Sequence, residues 1–223
     1  MQARVEAYVG AFVPKSGLYD LVLPGCGLHA YRWTGHLLTL QLLERRGALR
    51  VRTLYGTSSG AVAAVLFACG VDVDEWVERC GGVRARCRAG EWLADVYASI
   101  LAEALPADAH ARCSGRVVIA LTRLGLVPRR ATVARYASRA DQLAYLHAAT
   151  IIPGVTSPRA YQMVRGVRYL DAFTAEEPKG DVPALVLPVT YRALLGRIVP
   201  DDYDPRRDVV DGADAMLATL RQL

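Results

Sequence analysis

The pentapeptide Gly56-Thr57-Ser58-Ser59-Gly60 combines residue types and a spacing that can do chemistry. A β-branched and apolar run, Val51 to Tyr55, leads into it, and a small apolar segment, Ala61 to Ala68, leads out. The pattern reads as strand, sharp turn, helix. Glycines on either side let the backbone turn without side-chain clashes, which leaves the serine hydroxyl at the strand tip with a helix N-terminus behind it. Ser58 is therefore the candidate nucleophile, and Gly56 and Gly60 are the elbow glycines. The competing account is a Gly/Ser turn with no chemistry.

A second loop lies one unit earlier. Leu18 to Leu23 reads as a buried strand, ends in Pro24-Gly25-Cys26-Gly27, and is followed by a helical stretch from Leu28 to Arg46. A glycine-rich loop that opens a helix offers backbone N–H groups to an anion. A nucleotide phosphate would call for further glycines or a Gly-Lys-Ser/Thr ending, and neither is present. Beside a serine elbow, the amides around Gly25, Cys26 and Gly27 suit the oxyanion of an ester under attack. Each such donor is typically worth about 2.7 to 4 kcal/mol in the transition state.

The elements that must position these loops follow from the same pattern. The Leu28 to Arg46 helix carries Leu37, Leu38, Leu40, Leu42 and Leu43 on a wide apolar face and is closed by Gly47. Strands on both sides make a βαβα unit in an α/β fold, whose parallel strands bring both loops to their carboxyl ends. Downstream, Asp72 to Cys80 reads as a short helix capped by Asp72, Gly81 to Gly90 as an arginine-rich connection, and Trp92 to Leu105 as a helix stopped by Pro106. Trp92 and Tyr97 would suit an interface, although a helix packed on the sheet accounts for them more simply. Arg116 to Leu121 and Ala131 to Tyr136 are strand candidates, and Asp141 to Ala149 is a short helix. Tyr161 to Leu170 is expected to be a hairpin turning at Arg165-Gly166, and Ala184 to Val189 a buried strand.

Composition narrows the function classes. With 223 residues and 52% hydrophobic content, residues 1–223 are expected to form a single domain with a substantial core. Met1 to Pro14 lacks the pattern of a secretory signal, and the apolar stretch Ala61 to Cys69 is too short to span a bilayer. The five cysteines, Cys26, Cys69, Cys80, Cys87 and Cys113, are odd in number and irregularly spaced. That pattern argues against a zinc site and a disulfide scaffold, and it favours a reducing, cytoplasmic setting. The net charge of +5 comes largely from arginines, clustered at Arg79/Arg84/Arg86/Arg88, Arg129/Arg130 and Arg206/Arg207. A solvated surface explains such clusters, and peripheral contact with anionic lipid is the functional alternative. No nucleic-acid-binding signature accompanies the charge.

Three blocks together resemble the patatin-like phospholipase family. They are Pro24-Gly25-Cys26-Gly27-Leu28-His29-Ala30 with Gly35, then Leu54-Tyr55-Gly56-Thr57-Ser58-Ser59-Gly60-Ala61-Val62, then Ala148 to Gly154 leading to Gly166-Val167-Arg168-Tyr169-Leu170-Asp171-Ala172. The resemblance implies a three-layer patatin-like fold, with a mainly parallel central sheet flanked by helices. It also implies a Ser-Asp dyad in which Ser58 attacks a lipid acyl ester and Asp171 orients it and accepts its proton, with no metal or organic cofactor. A carboxylate with the usual pKa of about 4 is a weak base for a hydroxyl, so the site must be dry and rich in oxyanion donors. The chain departs from the pattern at Ala172, where the family usually has glycine, in a shortened Asp171 to Pro178 loop, and at His29 and Ala30. Asp211-Gly212-Ala213 spells the family's Asp-Gly-Ala more closely, but it lacks the upstream context and reads as an N-cap of a terminal helix, Ala213 to Leu220.

Two other readings compete. An α/β-hydrolase-type esterase would need His110 or His147 to serve Ser58, in the order serine, acid, histidine. A catalytically silent lipid- or membrane-binding protein would keep the fold and lose the chemistry, as Ala172 and the shortened loop suggest. An acyl acceptor other than water would make the protein a transacylase.

Overall fold

A computed structural model describes residue 6 and residues 17–27, 30–173, 182–187 and 205–220. Leu28 and His29, the loop Thr174 to Pro178, the strand end at Pro188 and Val189, and all but Glu6 of Met1 to Pro14 lie outside the described residues. So do the side chains of Ala30, Arg206 and Arg207.

The chain opens with β1 (Leu18–Leu23), α1 (Ala30–Arg45), β2 (Arg50–Thr57) and α2 (Ser59–Cys69). β1 is buried on both faces from Tyr19 onward, as a central parallel strand must be, and α2 is buried along nearly its whole length. Gly47 (φ 69) lets the chain leave α1, with the Gly47 and Ala48 amides satisfying the carbonyls of Glu44 and Leu43. Then follow α3 (Val73–Cys80), α4 (Val83–Arg88), α5 (Leu93–Ala104) and α6 (Ala109–Cys113). Asp72 caps α3 by accepting the Glu75 N–H at 3.0 Å.

The arginine-rich connection expected over Gly81 to Gly90 contains a helix, α4. Alanine and arginine are good helix formers, Val83 is buried beneath, and Arg86 is tied to Glu91 and Ser99. The basic run was therefore not a loop signal.

β3 (Val117–Leu124), β4 (Arg129–Val133), α7 (Arg139–Ala149), β5 (Gln162–Val164), β6 (Val167–Asp171), β7 (Ala184–Val186) and α8 (Pro205–Leu220) complete the order. α8 begins well before Asp211, so that aspartate is an exposed mid-helix residue and not an N-cap. Pro205 opens the helix, and the buried Gly212, Ala213, Met216 and Leu217 belong to α8, which packs along α1.

Strands β7, β1, β2 and β3 form a parallel centre, flanked by helices. β3 outruns β2, and its outer half pairs antiparallel with β4 along one side and β6 along the other. β4 overlaps both partners along β3, so β2 and β6 must share the opposite side, with β6 taking over where β2 stops. The two meet head to head, since Thr57 pairs with Ala120 and Asp171 with the next residue, Leu121. The expected hairpin turn is present at Arg165 (φ 49) and Gly166 (φ 75), and the Arg165 guanidinium is held by both carboxylate oxygens of Asp141. One hydrophobic cluster runs through both helical layers and the sheet. Among the described residues no helix is long and apolar enough to cross a membrane.

Candidate active site

The parallel register sets β1 and β2 level at their carboxyl ends, where Leu23 pairs with Gly56. The Pro24-Gly25 turn is thereby pressed against the turn after Thr57. Ser58 occupies that second turn with φ 54 and ψ −130, a left-handed conformation that an L-residue adopts only under strain.

Three glycines make this close approach possible. A Cβ on Gly25 would lie 2.8 Å from the Ser58 Cβ, and one on Gly56 would lie 2.5 Å from the Ala61 Cα. On Gly60 it would lie 2.6 Å from the Leu23 carbonyl carbon and 2.8 Å from the Pro24 oxygen. The elbow and the glycine-rich loop therefore lock each other in place.

Asp171 arrives from the other side, at the end of β6. Its N–H donates to the Ile151 carbonyl at 3.2 Å, and its own carbonyl accepts from the Thr122 hydroxyl at 3.0 Å. The side chain is 1% exposed. Oδ1 accepts the Phe173 N–H at 2.8 Å, closing a short turn in which the left-handed residue is Phe173 (φ 61). Ala172 is not in that conformation, so its methyl group carries none of the strain that a glycine-requiring position would impose. Burial pushes the Asp171 carboxyl up to about 6, against the opposing pull of the Ser58 hydroxyl and the Phe173 N–H. The Ser58 hydroxyl is close enough to act on the carboxyl, and yet the buried Oδ2 has no full hydrogen bond among the described residues.

Ser58 and Asp171 line one pocket together with Gly25 and Gly27. Apart from Ser59, Thr150 and Thr156, its other walls are apolar or aromatic, supplied by Val62, Leu93, Tyr97, Ile152 and Phe173. Tyr97, buried and stacked on Trp76 at 6.5 Å, is a pocket wall and not a surface residue, whereas Trp92 is partly exposed. Of the three residues expected to supply oxyanion donors, Gly25 and Gly27 line the pocket. Cys26 does not, because its N–H is taken by the Ser59 hydroxyl at 2.9 Å, with the Cys26 sulfur 3.4 Å from the same oxygen. Nothing local in the sequence signals that long-range bond.

The histidine alternatives lie elsewhere. His110 sits in α6, and the half-buried His147 lies 3.1 Å from Asp95, its pKa lowered by burial; neither lines the pocket. Asp211 is on the exposed side of α8. Among the described residues no three His, Cys, Asp or Glu side chains converge on a metal position. The walls at Thr150, Ile152 and Thr156 were foreshadowed only by their position beside the Ile-Pro-Gly block. Leu93 and Tyr97 had no signal beyond helical periodicity.

No protein-family model matches the chain. Human patatin-like phospholipase domain-containing protein 5 is 29% identical over 206 residues, a match covering 87% of this chain and 47% of the relative. Human omega-hydroxyceramide transacylase is 25% identical over 176 residues, covering 72% of this chain and 31% of that protein. The mouse transacylase is 24% identical over 175 residues, covering 72% and 28%. The chain thus spans less than half the length of these relatives. Among solved structures, the type III effector protein ExoU aligns over 94% of this chain and 54% of its own, with 12% identity and a TM-score of 0.48. By its sequence relatives, the chain is similar to proteins of the patatin-like phospholipase family.

Proposed function

We propose that the protein is a lipid acyl hydrolase, of phospholipase A or acylglycerol lipase type, working through Ser58 and Asp171. The observation that carries this reading is a strained serine at a strand tip, sharing an apolar pocket with a buried carboxyl group whose pKa is raised toward neutrality. An ionised Asp171 takes the Ser58 proton as Oγ forms a bond to the ester carbonyl carbon, and the carbonyl π electrons move onto oxygen. The amides of Gly25 and Gly27 face that oxyanion. Its collapse breaks the ester bond, and the departing alkoxide takes the proton from Asp171. Water then attacks the acyl-serine, giving its proton to Asp171, and the second collapse releases the fatty acid and returns that proton to Ser58. Depressing the charged form of Asp171 by burial is what makes it basic enough for this step.

The same acyl-enzyme would pass its acyl group to a lipid alcohol if one displaced water. The names of two relatives favour keeping this second reading. Both readings require the nucleophile. A fluorophosphonate probe is expected to label the wild type and not Ser58→Ala, and Asp171→Asn is expected to lose short-chain ester hydrolysis while Asp211→Asn keeps it. Vesicle binding with no labelling at any pH would instead support the silent lipid-binding alternative.

A further inference from the structure

β3 runs on for four residues after its last pairing with β2, from Ala120 to Leu124. At the rise of a strand that is roughly 13 Å beyond the level of Thr57, toward the same sheet edge that carries Ser58. The turn to β4, Gly125 to Pro128, stands further out and presents two adjacent large apolar side chains, Leu126 fully exposed (107%) and Val127 65% exposed. Single exposed leucines are ordinary, but this pair has a distinctive surrounding. Arg123, Arg129 and Arg130 are exposed at its base, and Arg123 and Arg129 face each other directly across the ladder. Like charges in that position repel, and among the described residues no acidic side chain pairs with either of these two. The sequence between Asp108 and Asp141 holds seven arginines and no acidic residue, so this stretch alone outweighs the net charge of +5.

We infer that the β3–β4 hairpin tip docks the protein on an anionic phospholipid surface, with Leu126 and Val127 entering the boundary between headgroups and acyl chains and Arg123, Arg129 and Arg130 on the phosphates. An apolar tip with a cationic collar matches both layers of such a surface. The tip projects past the pocket on the pocket's own edge, and Phe173 in the pocket wall is itself exposed. The inference builds on the lipid-ester reading for its purpose, while the docking itself needs no hydrolysis.

The test is co-sedimentation of the full chain, in the Ser58→Ala background, with phosphatidylcholine vesicles with and without phosphatidylserine. Binding is expected only with phosphatidylserine, weakened by salt, and reduced at least about tenfold in Leu126→Asp/Val127→Asp and in Arg123→Gln/Arg129→Gln. Leu18→Asp, an exposed position at the amino end of β1, is expected to bind as the parent does. Failure of the parent to bind, tip variants that bind undiminished, or an equal loss in Leu18→Asp would overturn the inference. A tip variant that loses self-association on gel filtration while keeping vesicle binding would assign the tip to a second copy, which also overturns it. Hydrolysis of a soluble short-chain ester, measured with Ser58 restored, separates the two claims: its absence counts against the catalytic reading and leaves docking untouched.

Discussion

Burial raises the Asp171 carboxyl to about 6, and the shift acts on stability and on chemistry in opposite directions. Below a pH of about 4 the folded and unfolded chains both hold the proton, and burial costs nothing. Between about 4 and 6 the unfolded chain releases it and the folded chain keeps it, so stability falls as pH rises, by up to about 3 kcal/mol, and stays lower above that window. The proposed chemistry needs the ionised form, so kcat/KM should climb with pH through a midpoint near the same value of about 6. Asp171→Asn retains an acceptor for the Phe173 N–H and removes the buried charge. It should abolish hydrolysis and raise stability by about 1 to 3 kcal/mol near pH 7.5, with little gain near pH 4, as urea titrations at the two pH values would record. Destabilisation at both would mean that Asp171 is held as a structural carboxylate. The site would then lack its base.

At the scale of elements, β1 carries a buried carboxylate of another kind. Asp20 is 1% exposed in the middle of the apolar strand, and both of its oxygens are bonded by Arg52 of β2, at 3.0 and 2.8 Å. Arg52→Ala would strand that charge between the two strands whose ends bear the site. Removing one partner of a fully buried pair costs about 3 to 5 kcal/mol; with Arg52 itself 40% exposed, a loss of about 2 to 3 kcal/mol is expected in chemical denaturation. Asp20→Leu/Arg52→Met should recover most of it, since the stranded charge is then gone. This pair was invisible in the sequence because the aspartate interrupts an otherwise apolar strand and its partner is on another strand. The elements whose period is unmistakable, β1, β2, α2 and the Arg165-Gly166 hairpin, were legible, and so were the two glycine-rich turns. The start of α8 was not, because Asp211-Gly212 mimics a cap that the helix does not need. Nor was the Ser59 to Cys26 bond, which joins distant segments, nor the left-handed Phe173, which sits in a short turn closed by the Asp171 side chain.

At the scale of the whole molecule, the distribution of charge matters more than its sum. Many of the arginines are locked in local pairs: Arg79 with Glu75, Arg86 with Glu91, Arg112 with Asp108, Arg165 with Asp141. Exposed pairs of this sort contribute little to stability and mainly cancel field. Arg123 and Arg129, on the outer half of β3 and on β4 at the edge where the pocket opens, are exposed and lie outside such pairs. A substrate in an anionic vesicle meets their field before it meets Ser58; a soluble uncharged ester does not. Raising salt shortens the Debye length from about 10 Å at 0.1 M toward about 3 Å at 1 M, and it should therefore slow hydrolysis of vesicle-borne ester severalfold while leaving the soluble ester's kcat/KM unchanged. Parallel assays across that range read the two rates directly. An equal fall for both substrates would locate the charge effect inside the pocket, at Asp171 or the oxyanion loop, and not at the docking edge. A vesicle rate indifferent to salt would leave the apolar tip alone as the contact with lipid, with the arginines serving only to keep that edge hydrated.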